Sequence, residues 1–467
     1  MLPSILLFAC DDWMPDEETD SDHGPQIVSV ETLPEPTEDE SSESSEEPPP
    51  RIMLRRPPLP STFPAHPSPD AEESLLATAY QYNAAIFEQA RADSSILGIV
   101  RRGRTLPVEE RVYGSGCTGR WYRIGRGFLC TGQGFVLGEA QEPSDQRRVR
   151  FDRPMPYRYA AVARRDGVPR LFRPPTADEL SVIEELEAEE SLPEVVAKQM
   201  VGDFFVALDR TEGSWQRTVR GRYVHVDELQ PLETPKLVGA RLEGDSELPL
   251  AFVFGESRPL VRIDGEDVQE VGEAEQYARF TVEEVSTVDG VEYAIGAGGL
   301  AVRRESVRVA RRSRPDEAVA SDNWIHVDLA EQTLVAYADG EPVYATLVAS
   351  GREGYDTPRG VFRIREKYVS ATMDGSDPVD GDFEVEEVPW TMYYWGSFAL
   401  HGAYWHDDFG QVRSHGCTNL APADARWLFE WSSPSVPDGW HGYRNSRGTW
   451  VWLSRGDAEY EQMETAG

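Results

Sequence analysis

From about residue 95 the chain is written in runs too short for helices. The stretch "SILGIVRRGRTLPVEERVYGSGCTGRWYRIGRGFLCTGQGFVLGE" (95–139) alternates apolar and polar residues, favours β-branched and aromatic side chains, and meets a glycine every few positions. Alternating runs of roughly four to eight residues between turn residues are strand signals, and strands this short close into small sheets. The same writing returns at "RYAAVARRDGVPRLFRPP" (158–175), "MVGDFFVALDR" (200–210), "WQRTVRGRYVHVDEL" (215–229) and "YAIGAGGLAVRRESVRVARR" (293–312). With 467 residues there is room for three or four domains, and the pattern predicts a mainly β chain of several small modules. Two stretches are expected to differ. "SLLATAYQYNAAIFEQA" (74–90) reads as a short helix, and "TADELSVIEELEAEESLPEVVAK" (176–198) as a helical insertion in the second module. "RSRPDEAVASDN" (312–323) reads as a linker.

Charge narrows the partners. The formal net charge is −36, and residues 11–50 carry 15 Asp or Glu with no Lys or Arg. A chain this acidic is not expected to hold nucleic acid or anionic lipid through general electrostatics. Within that block "EPTEDESSESSEEPPP" cannot bury enough apolar surface to order itself, so residues 11–75 are expected to be a disordered tether. A tether of ~65 residues would span roughly 45 Å as a flexible coil, or act only as a solvating tail. Arg303, Arg304, Arg308, Arg311 and Arg312 form a basic edge at the end of the third module, either ordinary solvated surface or a grip on an anionic polymer.

From Trp324 the writing sharpens. "WIHVDLAEQTLVAYADGEPVYATLVASGR" (324–352) reads as strands joined by a turn at "DGE" (339–341), and "DTPRGVFRI" (356–364), "FALHG" (398–402) and "GTWVWLS" (448–454) as further strands. "APADARWLFEWSS" (421–433) reads as a helix with Pro422 in its first turn. Between them, "FALHGAYWHDDFGQVRSHGCTNL" (398–420) holds three of the eight histidines and one of the four cysteines. A cysteine just ahead of a helix N-terminus is expected to have a lowered pKa. With His401 to take its proton and backbone N–H groups near Gly416 to receive an oxyanion, Cys417 could perform acyl transfer. Other readings stay open. His401, His406, His415 and Cys417 could ligate zinc, and a papain-like hydrolase would use the same residue types, although there the cysteine precedes its histidine.

Three resemblances add to this. "HG" (401–402) followed by "SHGCTN" (414–419), with "TPRGVF" (357–362), resembles the signature of L,D-transpeptidase catalytic domains, bacterial enzymes that remodel peptidoglycan. The resemblance implies a β-sandwich with a helix after the catalytic cysteine. It implies Cys417 as nucleophile, His401 as proton donor and acceptor, the Gly402 carbonyl orienting His401, and His415 and Gly416 completing the pocket and oxyanion hole. Ser414, Asn419 and Tyr394 would meet substrate, and no cofactor is implied. Asn419 would also suit a simple turn. Tyr393, Tyr394, Trp395 and Trp405 line either a peptide groove or the core, His406 reads as a surface residue, and Arg352 and Arg359 could meet carboxylates. An amine acceptor would give a cross-link, or attach a protein; water would make the enzyme a carboxypeptidase. A catalytically silent peptidoglycan-binding protein is the reading from another class. The acidic stretch 373–395 departs from the family pattern and is either a lid or decoration.

The second resemblance lies at the N-terminus, where "MLPSILLFACDDW" is similar to a bacterial lipoprotein signal, implying lipidation at Cys10 and an envelope, periplasm-side location with membrane contact through the lipid alone. In an exported chain Cys117 and Cys130 read as a disulfide, with buried thiols as the alternative. The third is between residues 95–139 and bacterial SH3-like modules, carried by Gly98, "CTGRWYRI" (117–124) and Gly134 to Leu137. The chain then divides into a signal (1–10), the tether (11–75), an SH3-like module (76–142), a second β module (143–235), a third (236–315), the catalytic domain (320–455) and a tail (456–467). Since every strong catalytic signal follows Trp324, residues 95–312 are expected to contribute little to the chemistry.

Overall fold

The computed structural model describes residues 52–54, 75–138, 149–162, 167–185, 192–243, 247–313, 323–377 and 381–456. Cys10, nearly all of the expected tether and the tail beyond Gly456 lie outside them. The part of the tether within them is not free: Ile52–Leu54 pairs in parallel with Asp267–Ala274, Leu54 opposite Ala274.

The chain is mainly β, as its alternation predicts. The short helix expected at 74–90 is instead two strands, Leu76–Ala79 and Asn83–Phe87. Both strands pair in sheets, Leu76–Ala79 with Thr105–Pro107 and Asn83–Phe87 with Ile96–Arg101, and Ala77, Ala79, Ala84 and Ile86 are buried. Cys117 and Cys130 are joined by a disulfide with Cα atoms 5.8 Å apart. The helical insertion is real over Ala177–Glu184, where Thr176 and Glu179 exchange hydrogen bonds in a capping box.

The C-terminal region packs two sheets around one core. One sheet holds Trp324–Asp328, Thr333–Ala338, Glu341–Leu347, Gly360–Arg363 and Trp450–Ser454. The other carries a long hairpin, Glu366–Asp377 with Gly381–Trp395, then Phe398–Gly402 and Thr418–Leu420. Ile325, Val327 and Leu334 from the first meet Met392, Leu400 and Leu420 from the second, and Leu428 and Phe429 of helix Pro422–Trp431 close the cluster. Each such apolar side chain, fully buried, stabilises by roughly 1.5–3 kcal/mol.

The modules are not beads on a string. Ile99 and Gly98 of the first pair with Gly442 and Tyr443. Asp203–Phe205 of the second pair in parallel with Phe383–Val385 of the hairpin, and Ala240–Arg241 of the third with Ala345 and Tyr344. The basic edge is spent on docking: Arg304 and Arg311 pair with Glu331, Arg312 with Glu341, and Arg308 donates to the Gly410 carbonyl.

The acidic hairpin owes its place to a bulge. Glu386 and Glu387 together face Thr372 where the register shifts between Ala371 and Met373, and Glu387 has φ +52°. A bulge turns two successive side chains inward. Glu386 is 0% exposed and Glu387 1%. Glu387 meets Arg101 of the first module at 2.6 Å and accepts from Tyr82 and Ser370. Arg170 of the second module forks onto Glu384, and the Ala207 amide donates to Glu386 at 3.1 Å. The stretch is therefore neither a free lid nor decoration; it is the seam between modules and catalytic domain.

Candidate active site

Cys417, the free cysteine among the described residues, sits on a loop held almost wholly by neighbours in sequence or by one facing segment. The Gly416 amide donates to Ser414 Oγ at 3.0 Å, and Ser414 Oγ donates to the Cys417 carbonyl. Thr357 Oγ1 donates to the Gly416 carbonyl and accepts from the Gly351 amide, both at 2.8 Å. This is what Thr357 of "TPRGVF" does here: it ties segment 349–357 to the nucleophile loop. Gly416 has φ +112°, and a Cβ there would stand 2.6 Å from the Phe398 ring, so the bend admits only glycine.

These bonds bear on two of the expected residues. Ser414 is buried and spends its hydroxyl inside the loop. The Gly416 amide is already engaged by Ser414 and is not a ready oxyanion donor. Asn419 is engaged within the fold as well. It is buried, its backbone bonds both ways with Ala349, and its side chain meets His406 Nε2 at 2.9 Å. His406, expected at the surface, is buried, and burial pushes it down to about 3. Its Nδ1 accepts from the Asp408 amide at 3.2 Å, and its Nε2 faces the Asn419 side-chain amide.

His401 lies on Phe398–Gly402, 2% exposed, with its strand parallel to Thr418–Leu420 and His401 opposite Asn419. That register sets Ala399 beside Cys417, whose Sγ lies 3.6 Å from the Ser397 carbonyl. Burial pushes His401 down to about 4, and the Gly402 carbonyl works the other way. Nδ1 has no hydrogen-bond partner that meets full geometry, so this carbonyl acts from nearby without an aligned bond. The ring stacks on Trp405 at 5.7 Å. Gly402 is confined: a Cβ would stand 3.0 Å from Pro389 Cγ and 3.2 Å from Pro422 Cα.

The thiol also departs from expectation. Cys417 is part-exposed, yet desolvation by the atoms packed around it pushes it up to about 11, with the Ala399 backbone opposing. The helix does not reverse this, because strand Thr418–Leu420 stands between the cysteine and the helix start at Pro422. A dipole effect fades within about one turn. Thiolate formation therefore depends on a base.

His415 is exposed. Its Nε2 stands 3.0 Å from Arg352 Nη2, its ring meets Tyr355 edge-on at 4.8 Å, and it stacks on Phe383 at 5.3 Å. A guanidinium only donates, so Nε2 is the acceptor and is occupied. Tyr394 is core rather than groove wall, and its hydroxyl makes no hydrogen bond of full geometry, with the Thr418 side chain near it. Burial, then the neighbouring Cys417, raise that hydroxyl above its ordinary value. The four zinc candidates do not converge, and no group of three or more His, Cys, Asp or Glu forms a metal site among the described residues. Sequence reasoning missed Phe205 and Phe383, while the "TPRGVF" likeness pointed at Thr357 without giving its role.

Comparison with known proteins fits this geometry. Residues 322–452 match the family model described as YkuD, the L,D-transpeptidase catalytic domain. Similar solved structures include a mutant of Enterococcus faecium L,D-transpeptidase, 27% identical over 31% of this chain and 55% of that one, TM-score 0.24. The NMR structure of the E. faecium catalytic domain is 26% identical over 29% of this chain and 98% of that one, TM-score 0.24. L,D-transpeptidase from Mycobacterium smegmatis is 19% identical over 37% and 81%, TM-score 0.23. The match spans about half the length of the first of these. No curated protein matches the chain.

Proposed function

We propose that this protein is a peptidoglycan L,D-transpeptidase acting through a Cys417 acyl-enzyme. The observation that carries the reading is the pairing of strand Phe398–Gly402 with Thr418–Leu420, which brings buried His401 to the strand beside a part-exposed thiol. His401 takes the thiol proton as Sγ attacks the carbonyl of the diamino acid in a stem peptide. The C–N bond to the terminal D-residue breaks, and His401 returns the proton to that leaving amine. An amine of a second stem then attacks the thioester, gives its proton to His401, and releases the thiolate. His401 is the better base because the His415 Nε2 is occupied by Arg352. For the oxyanion, the Tyr394 hydroxyl, which lies near Cys417 and makes no hydrogen bond of full geometry, is the donor we assign, since Gly416 is engaged. We infer an envelope location, with Cys10 as lipid anchor and stem peptides as the partner.

The test is a mass measurement after incubation with a carbapenem. A covalent adduct on the wild type that is lost in Cys417→Ala supports the acyl-enzyme; no adduct on a folded wild type sinks it. With a stem tetrapeptide, His401→Ala should slow acylation ~100- to 10,000-fold, the usual cost of a lost general base, and His415→Gln less. The reverse ranking would transfer the base role to His415.

A further inference from the structure

We propose that the second module, residues 149–232, supplies positioning residues for the Cys417 site, with Phe205 holding the His401 ring through Trp405. This rests on the acyl-enzyme reading above. His401 must present one nitrogen to the thiol, and its Nδ1 has no hydrogen bond of full geometry to fix the ring. The nearby Gly402 carbonyl alone does not fix it, so packing has to add to it. The wall against the ring is Trp405, stacked at 5.7 Å with 29° between planes. Trp405 in turn touches Phe205 at 6.1 Å, and Phe205 meets Tyr404 edge-on at 6.4 Å. Phe205 belongs to strand Asp203–Glu212 of the second module.

The same strand reaches the other histidine. Asp203 pairs with Phe383, and Phe383 stacks on His415 at 5.3 Å. Gly202 lets the two backbones close: a Cβ there would stand 2.2 Å from the Asp382 carbonyl oxygen, and φ is +111°. The join is then locked by the Arg170 fork on Glu384 and by the Ala207 amide on Glu386. One module strand therefore braces the supports of both histidines, from two directions, which a mere wall-tethering module would not need.

The experiment uses the full chain and two reagents. Acylation by a stem tetrapeptide reads the whole reaction. Alkylation of Cys417 by iodoacetamide reads proton removal without any stem peptide. Phe205→Ala should lower kcat for acylation by about tenfold or more, since misplacing a reacting group by an ångström costs this much, while KM moves less than about twofold. Alkylation should slow in parallel with the loss seen in His401→Ala, though by less. Phe205→Tyr should restore the rate. Because Phe205 acts through Trp405, the double variant with Trp405→Leu should lose no more than Trp405→Leu alone; additive losses would mean independent effects and overturn the proposal. If Phe205→Ala does not fold, Phe205→Leu carries the test, keeping bulk but losing the flat ring. Equal rates for wild type and a folded variant with both reagents overturn the inference. A wild type whose alkylation depends on His401 but which no stem peptide acylates sinks the proposed function instead.

Discussion

The loop carrying Cys417, which leads into strand Thr418–Leu420, and the acidic hairpin of the same sheet are held in opposite ways. The loop is fixed by short-range bonds among Ser414, Gly416 and Cys417, plus Thr357 from one facing segment. The hairpin is fixed by partners some two to three hundred residues away: Arg101 to Glu387, Arg170 to Glu384, and the Tyr159 hydroxyl to the Glu387 carbonyl. Local bonds let a motif announce itself. Distant ones leave in the sequence only a run of carboxylates, which by itself looks like surface.

The contrast can be broken most severely by truncation. A chain beginning at residue 318 keeps the whole loop but strips Glu384, Glu386 and Glu387 of their module partners. It should show no cooperative unfolding transition by circular dichroism. A sharp transition, with Cys417 still acylated, would show that the hairpin needs no modules. Arg101→Ala is a smaller version of the same cut. It leaves the Glu387 carboxylate buried without its cation, which costs about 3–5 kcal/mol, read from the denaturant midpoint. A loss below about 1 kcal/mol would class the pair with exposed ones such as Arg413 with Asp408.

The loop should answer differently. Ser414→Ala removes two hydrogen bonds and should cost about 1–2 kcal/mol in stability, with acylation of Cys417 falling further than that loss implies. Unchanged acylation would mean the loop needs no internal brace. The gentlest probe is Glu386→Gln. Burial pushes Glu386 up to about 8; Arg170 is 3.4 Å away but commits its fork to Glu384. An unfolded glutamate titrates at about 4.3. Between those values the folded chain holds a proton the unfolded chain has released, so this group's contribution falls as pH rises. The glutamine variant should therefore gain on wild type from about pH 4.5 to 8 and level off above, in melting temperature. A constant difference across that range would mean that Glu386 is ionised throughout.

Much of the site was readable because its chemistry is local. "SHGC" with an earlier "HG" specifies a thiol, an imidazole and a bend that only Gly416 can make. Alternation gave strands and Pro422 gave the helix start, each within a few residues of its cause. The errors share one origin. His406 was expected at the surface beside Asp407 and Asp408, because nothing nearby shows that Asn419 waits across a strand pairing. The lowered thiol pKa assumed a helix directly after Cys417, while strand Thr418–Leu420 intervenes.

By itself, then, the sequence determined the β character, since periodicity and residue type act over a few positions, and its motif likeness pointed to the two-sheet C-terminal domain and to Cys417 and His401 as the residues to test. Only the tertiary structure decided which polar groups are buried and against what. Glu386 and Glu387 go inside because Ala207, Arg101 and Tyr82 arrive from other modules to meet them, and a buried carboxylate is tolerable only where such partners stand. The distance in sequence between those partners is the reason no local pattern could give them away.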